Sequence, residues 1–239
     1  MKPLIVTGSS TDPYYNLAIE ETLLRSSEGR RILYLWQNDR TVVIGRHQDA
    51  ASECNLTAME EDGIRLARRL SGGGAVYHDM GNMNFTFIAP RSLLSTDEDF
   101  EIISKAVGRL GIKTCRTGNN DLGIAETGAK FSGSAFYQSG PDNDSPCYHH
   151  GTVICLCDIE KMVKYLTPSA EKLSKHGVKS VRARVANIGK GIDEVRNAVI
   201  SVFEERFGEA QRAGEEICDM KAVEEAYARL SSHDWLFSI

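Results

Sequence analysis

Three consecutive glycines, Gly72 to Gly74, stand between two strand-like runs in the stretch RRLSGGGAVYHDMGNMNF, residues 68–85. Glycine weakens helix and strand interiors alike, so this run has to be a connection. Its backbone is free to approach a ligand closely and to present N–H groups in a concave array. The spacing is neither G-x-x-x-x-G-K-[ST] nor G-x-G-x-x-G and no helical pattern follows it, which excludes the two common nucleotide motifs. Arg68 and Arg69 precede the run with forks suited to phosphate or carboxylate, and the polar cluster His78, Asp79, Asn82 and Asn84 follows it. Residues 71–74 therefore read as an anion-binding loop, with a mobile hairpin tip as the alternative.

The rest of the chain predicts a mixture of strands and helices. Asp12 and Pro13 have the pattern of an N-cap and first helical position, with Leu17, Ala18 and Leu24 at helical spacing after them, giving a helix over about 13–27. Glu21 falls on the same stripe, where its carboxylate needs a partner such as an arginine. The runs 31–37 and 41–46 read as a hairpin turning at residues 38–40, 51–63 as one short helix ended by Gly63, and 64–69 as a strand. Residues 75–79 and 82–89 continue the sheet through a turn at Asp79, Met80 and Gly81. An amphipathic helix ends before Gly111, strands return between 112 and 157, and helices dominate from 158 onward. Hairpins followed by helices predict an α+β fold of mixed, largely antiparallel sheets flanked by helices, not a doubly wound one.

The chain has 239 residues with 28 Lys and Arg against 33 Asp and Glu, a net charge of −5. That sign argues against holding a long nucleic acid by phosphate neutralisation, while leaving room for a local anion site. No run reaches about 18 apolar residues, so no membrane span is expected, and with no signal-like start the expected location is the cytoplasm. Six scattered cysteines (Cys54, Cys115, Cys147, Cys155, Cys157 and Cys218) read as free thiols. Cys155 and Cys157 share one strand face, but a metal site would need further ligands close by.

The glycine stretch closely resembles the signature of lipoate-protein ligase A, in the biotin/lipoate ligase superfamily. The resemblance continues through DPYYNLAIEE (12–21), LYLWQNDRTVVIGRHQ (33–48), ECNLTAMEEDGIRLARR (53–69), NNDL (119–122), GAKFSGSAFYQ (128–138), HHGTVI (149–154), LSKHGVKSVRARVANI (173–188) and SSHDWLF (231–237). It implies a class II synthetase-like catalytic domain over residues 1–239. It also implies a two-step reaction in which lipoate and ATP form lipoyl-AMP, whose acyl group passes to a lysine of a lipoyl-carrier domain. The carriers implied are 2-oxoacid dehydrogenase E2 subunits and the glycine cleavage H protein.

By the same resemblance Lys130 is the catalytic lysine, a preorganised positive charge for the carboxyl and α-phosphate oxygens. Arg69, Ser71, Gly72, Gly73, Gly74, Ala75, Val76, Tyr77 and His78 are implied along the nucleotide and acyl group, with Ser180, Val181 and Arg182 in an adenylate-binding loop. Lys175, Lys179, Arg182 and Arg184 of that loop could instead be solvated charge. Asn120 and Asp121 lie near the phosphates, with Asp121 a Mg²⁺ ligand and turn formation the other reading of Asn120. The lipoyl tunnel is implied near Trp36, Gly45, Arg46, His149 and Gly151, with Val43 and Ile44 as further candidates, each of the apolar ones also readable as core. His149 and His150 are either a general base or structural hydrogen-bonding residues. Longer relatives continue past the position of Trp235 into an accessory domain, so a separate accessory polypeptide is expected for the activation step. Two other functions compete: ATP-independent octanoyl or lipoyl transfer between carriers, with Cys115 as nucleophile, and non-enzymatic carrier binding.

Overall fold

A computed structural model describes residues 1–167 and 185–238. Helix α1 (Pro13–Arg25) starts where the sequence predicts: Asp12 accepts from the N–H groups of Tyr14 and Tyr15 at 2.9 and 3.2 Å, and Pro13 fills the first position. It stops at Arg25, short of residue 27. Glu21 is buried and has two arginine partners, Arg25 at 2.7 Å and Arg229.

Two sheets form among the described residues. The larger contains β1 (Leu4–Thr7), β2 (Ile32–Trp36), β6 (Asn82–Pro90), β7 (Thr114–Arg116), β8 (Asp121–Ile124), β9 (Lys130–Gln138), β10 (Pro146–Ile154) and β11 (Gln211–Ala213), in the order β11-β1-β2-β6-β10-β9-β8-β7. Strands β11, β1 and β2 run parallel, and the pairings from β2 onward are antiparallel. The smaller sheet has β3 (Thr41–Ile44) between β4 (Arg65–Arg68) and β5 (Val76–His78). The fold class is the predicted α+β.

Both expected hairpins are absent, for one reason: the chain changes sheet at each turn. β2 pairs with β1 and β6, whereas β3 pairs with β4 and β5. The four residues between them are anchored by fully buried Asn38, and Arg40 adopts a left-handed φ of 47°. The 79–81 turn likewise links β5 of the small sheet to β6 of the large one. A Cβ at Gly81 would stand 2.3 Å from the backbone of Leu156, so only glycine fits the crossing. The single helix expected over 51–63 is two, α2 (Ala50–Glu53) and α3 (Leu56–Asp62), because Asn55 caps the second by accepting from Ala58 N–H at 3.2 Å. Gly63 ends α3 at φ 63°. Strands β1 and β11, too short for a periodic signal, were not foreseen.

Every residue of β2 and β6 is buried because both faces of the large sheet are covered. On the back face, Leu33, Leu35, Phe85 and Phe87 pack on Phe100, Ile103 and Val107 of α4 (Thr96–Arg109) and on Val195, Val199 and Phe203 of α6 (Ile192–Phe207). On the front face, Tyr34, Trp36, Ile88 and Tyr148 meet α1, α7 (Met220–Leu230) and the small sheet. Helix α5 (Ile159–Tyr165) and the closing helix α8 (His233–Phe237) pack against the small sheet. Among the described residues no helix is long and apolar enough to cross a membrane.

The Glu21 carboxylate joins α1 to α7 from a buried position, so removing one arginine should cost more than an exposed pair is worth. Arg229→Ala is expected to lower unfolding free energy by about 1–2 kcal/mol in urea titration. The double change Glu21→Leu, Arg229→Leu should recover most of that loss. A double variant no more stable than the single would show that the buried charge is not its source.

Candidate active site

A register row crosses the front of the large sheet: Asp121 pairs with Gly133, Gly133 with Thr152, Thr152 with Asn84, and Asn84 with Trp36. Four strand spacings make this row roughly 19 Å long. The small sheet and glycine loop lie over it, leaving an elongated cavity of about 280 Å³, at the lower end for a small-molecule site. Leu17, Trp36 and Val43 supply apolar wall; Lys130, Asp121, Asn120 and Ser134 supply the polar part. Gly133 in the row leaves room for the end of the lysine side chain, since a Cβ there would come within 2.7 Å of Lys130 Nζ and displace it. That Nζ pairs with Asp121 Oδ1 at 2.8 Å, both side chains being about one-third exposed. The carbonyl of Lys130 accepts from Ala186 N–H at 2.9 Å, which places the start of the 185–238 segment beside the lysine.

The glycine loop is held from inside. Arg69 donates from Nη2 to the carbonyls of Gly72 and Gly74 at 2.8 and 2.7 Å, from Nη1 to Val43 at 3.2 Å, and from Nε to Ser71 Oγ at 3.1 Å. Burial lowers its pKa to about 10, leaving it cationic at neutral pH. Arg68 is no anion ligand: fully buried, it donates to the carbonyls of Leu236, Gly45, Arg46 and Gln48. Both forks thus organise backbone, which composition could not distinguish from anion binding. Gly73 has φ 93° and Arg69 Nη2 lies 2.9 Å from where its Cβ would be. Gly45 is tighter still, its Cβ position being 2.3 Å from the Gly73 carbonyl oxygen.

Two buried polar chains support the cavity. In the first, His150 Nδ1 meets Glu20 Oε1 at 2.8 Å and His150 Nε2 meets Ser71 Oγ at 2.7 Å, tying α1 through β10 to the loop. Thr86 Oγ1 donates to the same Glu20 oxygen at 2.6 Å and accepts from Trp36 Nε1 at 3.1 Å. In the second, Asn38 Nδ2 faces His78 Nδ1 at 3.2 Å and His78 Nε2 faces Thr152 Oγ1 at 2.9 Å. Burial first, then the neighbouring Arg69 and the nearby His150, push His78 down to about 3, so it is neutral at pH 7.

Of the sequence-predicted residues, the cavity brings together Trp36, Arg69, Gly73, Gly74, Ala75, Val76, His78, Asn120, Asp121, Lys130 and Gly151. Ser71 and Gly72 do not line the cavity: Ser71 is buried against Arg69 and His150, and Gly72 is exposed with its carbonyl held by Arg69. Tyr77 points away, packing on Tyr165 with ring centroids 5.3 Å apart. Arg46 lies over the Trp235 ring at 4.4 Å and donates to Ser238 Oγ at 3.1 Å. His149 is on the back face, where Nδ1 meets Asp99 Oδ2 at 3.1 Å and its ring packs on Phe100. Neighbouring residues on a strand face opposite ways, so His150 and not His149 reaches the cavity. Lys175, Lys179, Ser180, Val181, Arg182 and Arg184 lie outside the described residues.

Sequence reasoning did not place Leu17, Gly133, Ser134, Ala135 and Thr152 on the wall, and offered His150 only as a general base or a structural residue beside His149. Leu17 and Glu20 share the helical stripe that already contains Glu21, and the period-two pattern of β10 links His150 to Thr152, so those signals were available. Gly133 carried none. Cys115, on edge strand β7, lines a separate surface groove with Phe100, Glu101 and Arg116. Among the described residues no cysteine borders the Lys130 cavity. Burial raises Cys147 and Cys218 to about 11 and Cys54 and Cys155 to about 12, which keeps those thiols protonated.

A cavity with Leu17, Trp36 and Val43 on its wall and one lysine among its polar groups is suited to a small molecule with an apolar body and an anionic end. Residues 12–212 match the lipoyl protein ligase A/B catalytic domain, and the chain belongs to that family. A bipartite lipoate protein ligase from Thermoplasma acidophilum, studied with its E2 lipoyl domain, is 29% identical, with a TM-score of 0.83 over 99% of this chain and 96% of that one. Plasmodium falciparum LipL1 in complex with lipoate is 26% identical, TM-score 0.81, over 99% and 74% of the two chains. A lipoate-protein ligase A bound with ATP is 27% identical, TM-score 0.81, over 99% and 98%.

The contrast between neighbouring glycines tests the loop's packing. Gly45→Ala drives a methyl into backbone and is expected to cost about 1–3 kcal/mol, whereas Gly74→Ala, with nothing within 4 Å of its Cβ position, should be near neutral by urea unfolding. Equal losses would contradict the interlock. His78 gives a pH signature. Its folded pKa lies below the unfolded value of about 6.5, so the unfolded chain binds the extra proton between these values. Stability from this group is complete above about pH 6.5 and falls by up to about 1.4 kcal/mol per pH unit as pH drops toward 3. His78→Gln should flatten that part of the stability profile, and an unchanged slope would refute the assignment.

Proposed function

We propose that the chain is an ATP-dependent lipoate-protein ligase acting in the cytoplasm. Lipoate enters with its dithiolane end among Leu17, Trp36 and Val43 and its carboxyl toward Lys130. The carboxylate attacks the α-phosphorus of ATP, forming lipoyl-AMP and releasing pyrophosphate. The amine of a carrier lysine then attacks the acyl carbonyl, an amide forms, and AMP leaves. Carriers of the proposed kind are E2 lipoyl domains and the glycine cleavage H protein, the first supported by the Thermoplasma relative and its E2 lipoyl domain.

The observation that carries this reading is Lys130 Nζ, placed over Gly133 in a cavity whose wall joins the apolar Leu17, Trp36 and Val43 to a set of polar side chains. A fixed ammonium there stabilises the charge that develops on acyl and α-phosphate oxygens in both steps. Asp121, beside it, is a hard oxygen ligand able to share a Mg²⁺ with ATP phosphates, the usual division of ligands for that ion. Asp121 would then release Lys130 to the substrate. The separation of Cys115 from the cavity favours this reading over cysteine-based transfer between carriers. A purely carrier-binding protein would have no use for the lysine, the slot and the glycine loop together.

Lys130→Ala is expected to keep the fold and slow both pyrophosphate release and transfer from supplied lipoyl-AMP by at least about a hundredfold. Transfer at the parental rate would remove Lys130 from the second step. By analogy with the bipartite Thermoplasma ligase, activation should also need a second polypeptide. The purified chain is expected to lipoylate a carrier rapidly from lipoyl-AMP but slowly from ATP and lipoate; equally fast reaction from both would establish a self-sufficient ligase.

A further inference from the structure

Asn84 ends a buried hydrogen-bonded chain whose direction is fixed at its other end. Asn16 Nδ2 donates to the carbonyls of Ser10 and Gln37 at 3.1 and 2.7 Å, which identifies that atom as the nitrogen. It also approaches Asn38 Oδ1 at 3.0 Å, so the other amide atom of Asn38, Nδ2, is the donor to His78 Nδ1 at 3.2 Å. Neutral His78 must then carry its proton on Nε2 and give it to Thr152 Oγ1 at 2.9 Å, and the Thr152 hydroxyl donates to Asn84 Oδ1 at 2.8 Å. Each link determines the next. What remains is the amide nitrogen of Asn84, buried, in a residue that lines the cavity, with no hydrogen-bond partner among the described residues.

An orphaned buried N–H donor is costly unless something supplies an acceptor. Asn84 stands in the same register row as Gly133, over which Lys130 Nζ lies, with only Thr152 between them. Their Cα atoms are about 10 Å apart across two strand spacings, and Asn84, Thr152 and Lys130 all line the same cavity. Resting on the lipoate-ligase reading above, we propose that Asn84 is a substrate-contacting residue: its Nδ2 donates to one acyl oxygen while Lys130 addresses the other, first on lipoate and then on the carbonyl of lipoyl-AMP. Asn38, His78 and Thr152 are positioning residues that keep the nitrogen, and not the oxygen, turned to the ligand.

Calorimetry with two probes tests this: lipoate, and a dithiolane with a pentyl tail and no carboxyl group. Asn84→Asp keeps an acceptor for Thr152 but replaces the amide donor, and Asn84→Ala removes the group without adding charge. Both variants are expected to lose lipoate affinity by about ten- to a hundredfold, with the binding of the carboxyl-free probe unmoved. If the Asp variant does not fold, the Ala variant decides. Parallel losses for the two probes would mean that Asn84 only shapes the cavity and would overturn the assignment, as would unchanged lipoate affinity. No lipoate binding by the parental chain would overturn the functional reading and this inference with it.

Discussion

Nine consecutive residue pairs join β6 to β10, from Asn82 with Ile154 to Pro90 with Pro146. This antiparallel ladder is the axis on which the rest is arranged, because alternation along it sorts every side chain to one of two faces. Phe85, Phe87, His149 and Val153 go to the helical back layer; Asn84, Thr86, His150 and Thr152 go to the front, beneath the small sheet. A shift of one residue would exchange an apolar core for a ligand surface. The nearly continuous burial of β6 leaves no room for that error.

The front face spends its polarity on direction. Glu20, His150 and Ser71 form one chain and Asn16, Asn38, His78 and Thr152 another, and each brings an element distant in sequence to the cavity. Arg69 adds the third support by gripping the glycine loop through its carbonyls. Buried hydrogen-bonded networks of this kind specify one arrangement more strongly than apolar packing does. The loop is consequently braced from within by the protein's own side chains.

Much of this was legible in the sequence because local chemistry determined it. Asp12 with Pro13 marked the start of α1, the glycine run marked the loop, and the GAKFSGSA resemblance singled out Lys130, which the structure places at the cavity. The hairpin expectations failed because a turn signal specifies that a chain reverses, not which sheet the next strand joins. Asn38 and Gly81 act through contacts with residues far along the chain. Arg68 and Arg69 look like anion ligands in a sequence because a guanidinium serves a carbonyl as readily as a phosphate. The choice between His149 and His150 required knowing which face of β10 the small sheet covers. Asn84 could be noticed as part of a polar cluster, but its unpaired nitrogen follows only from a chain of four partners.

Arg68 gives the carboxy-terminal helix a part in all of this. Two of its nitrogens hold the Leu236 carbonyl, Trp235 returns a hydrogen bond from Nε1 to the Arg68 carbonyl at 2.9 Å, and the remaining fork nitrogen holds three carbonyls at 45, 46 and 48. One side chain therefore rivets residues 235–236 to the segment that interlocks with Gly73. A protease nick at residue 235, or an affinity tag that levers α8 outward, would strand a buried cation and slacken the glycine loop from behind. Damage at the tail would then present itself as a defect in ligand binding.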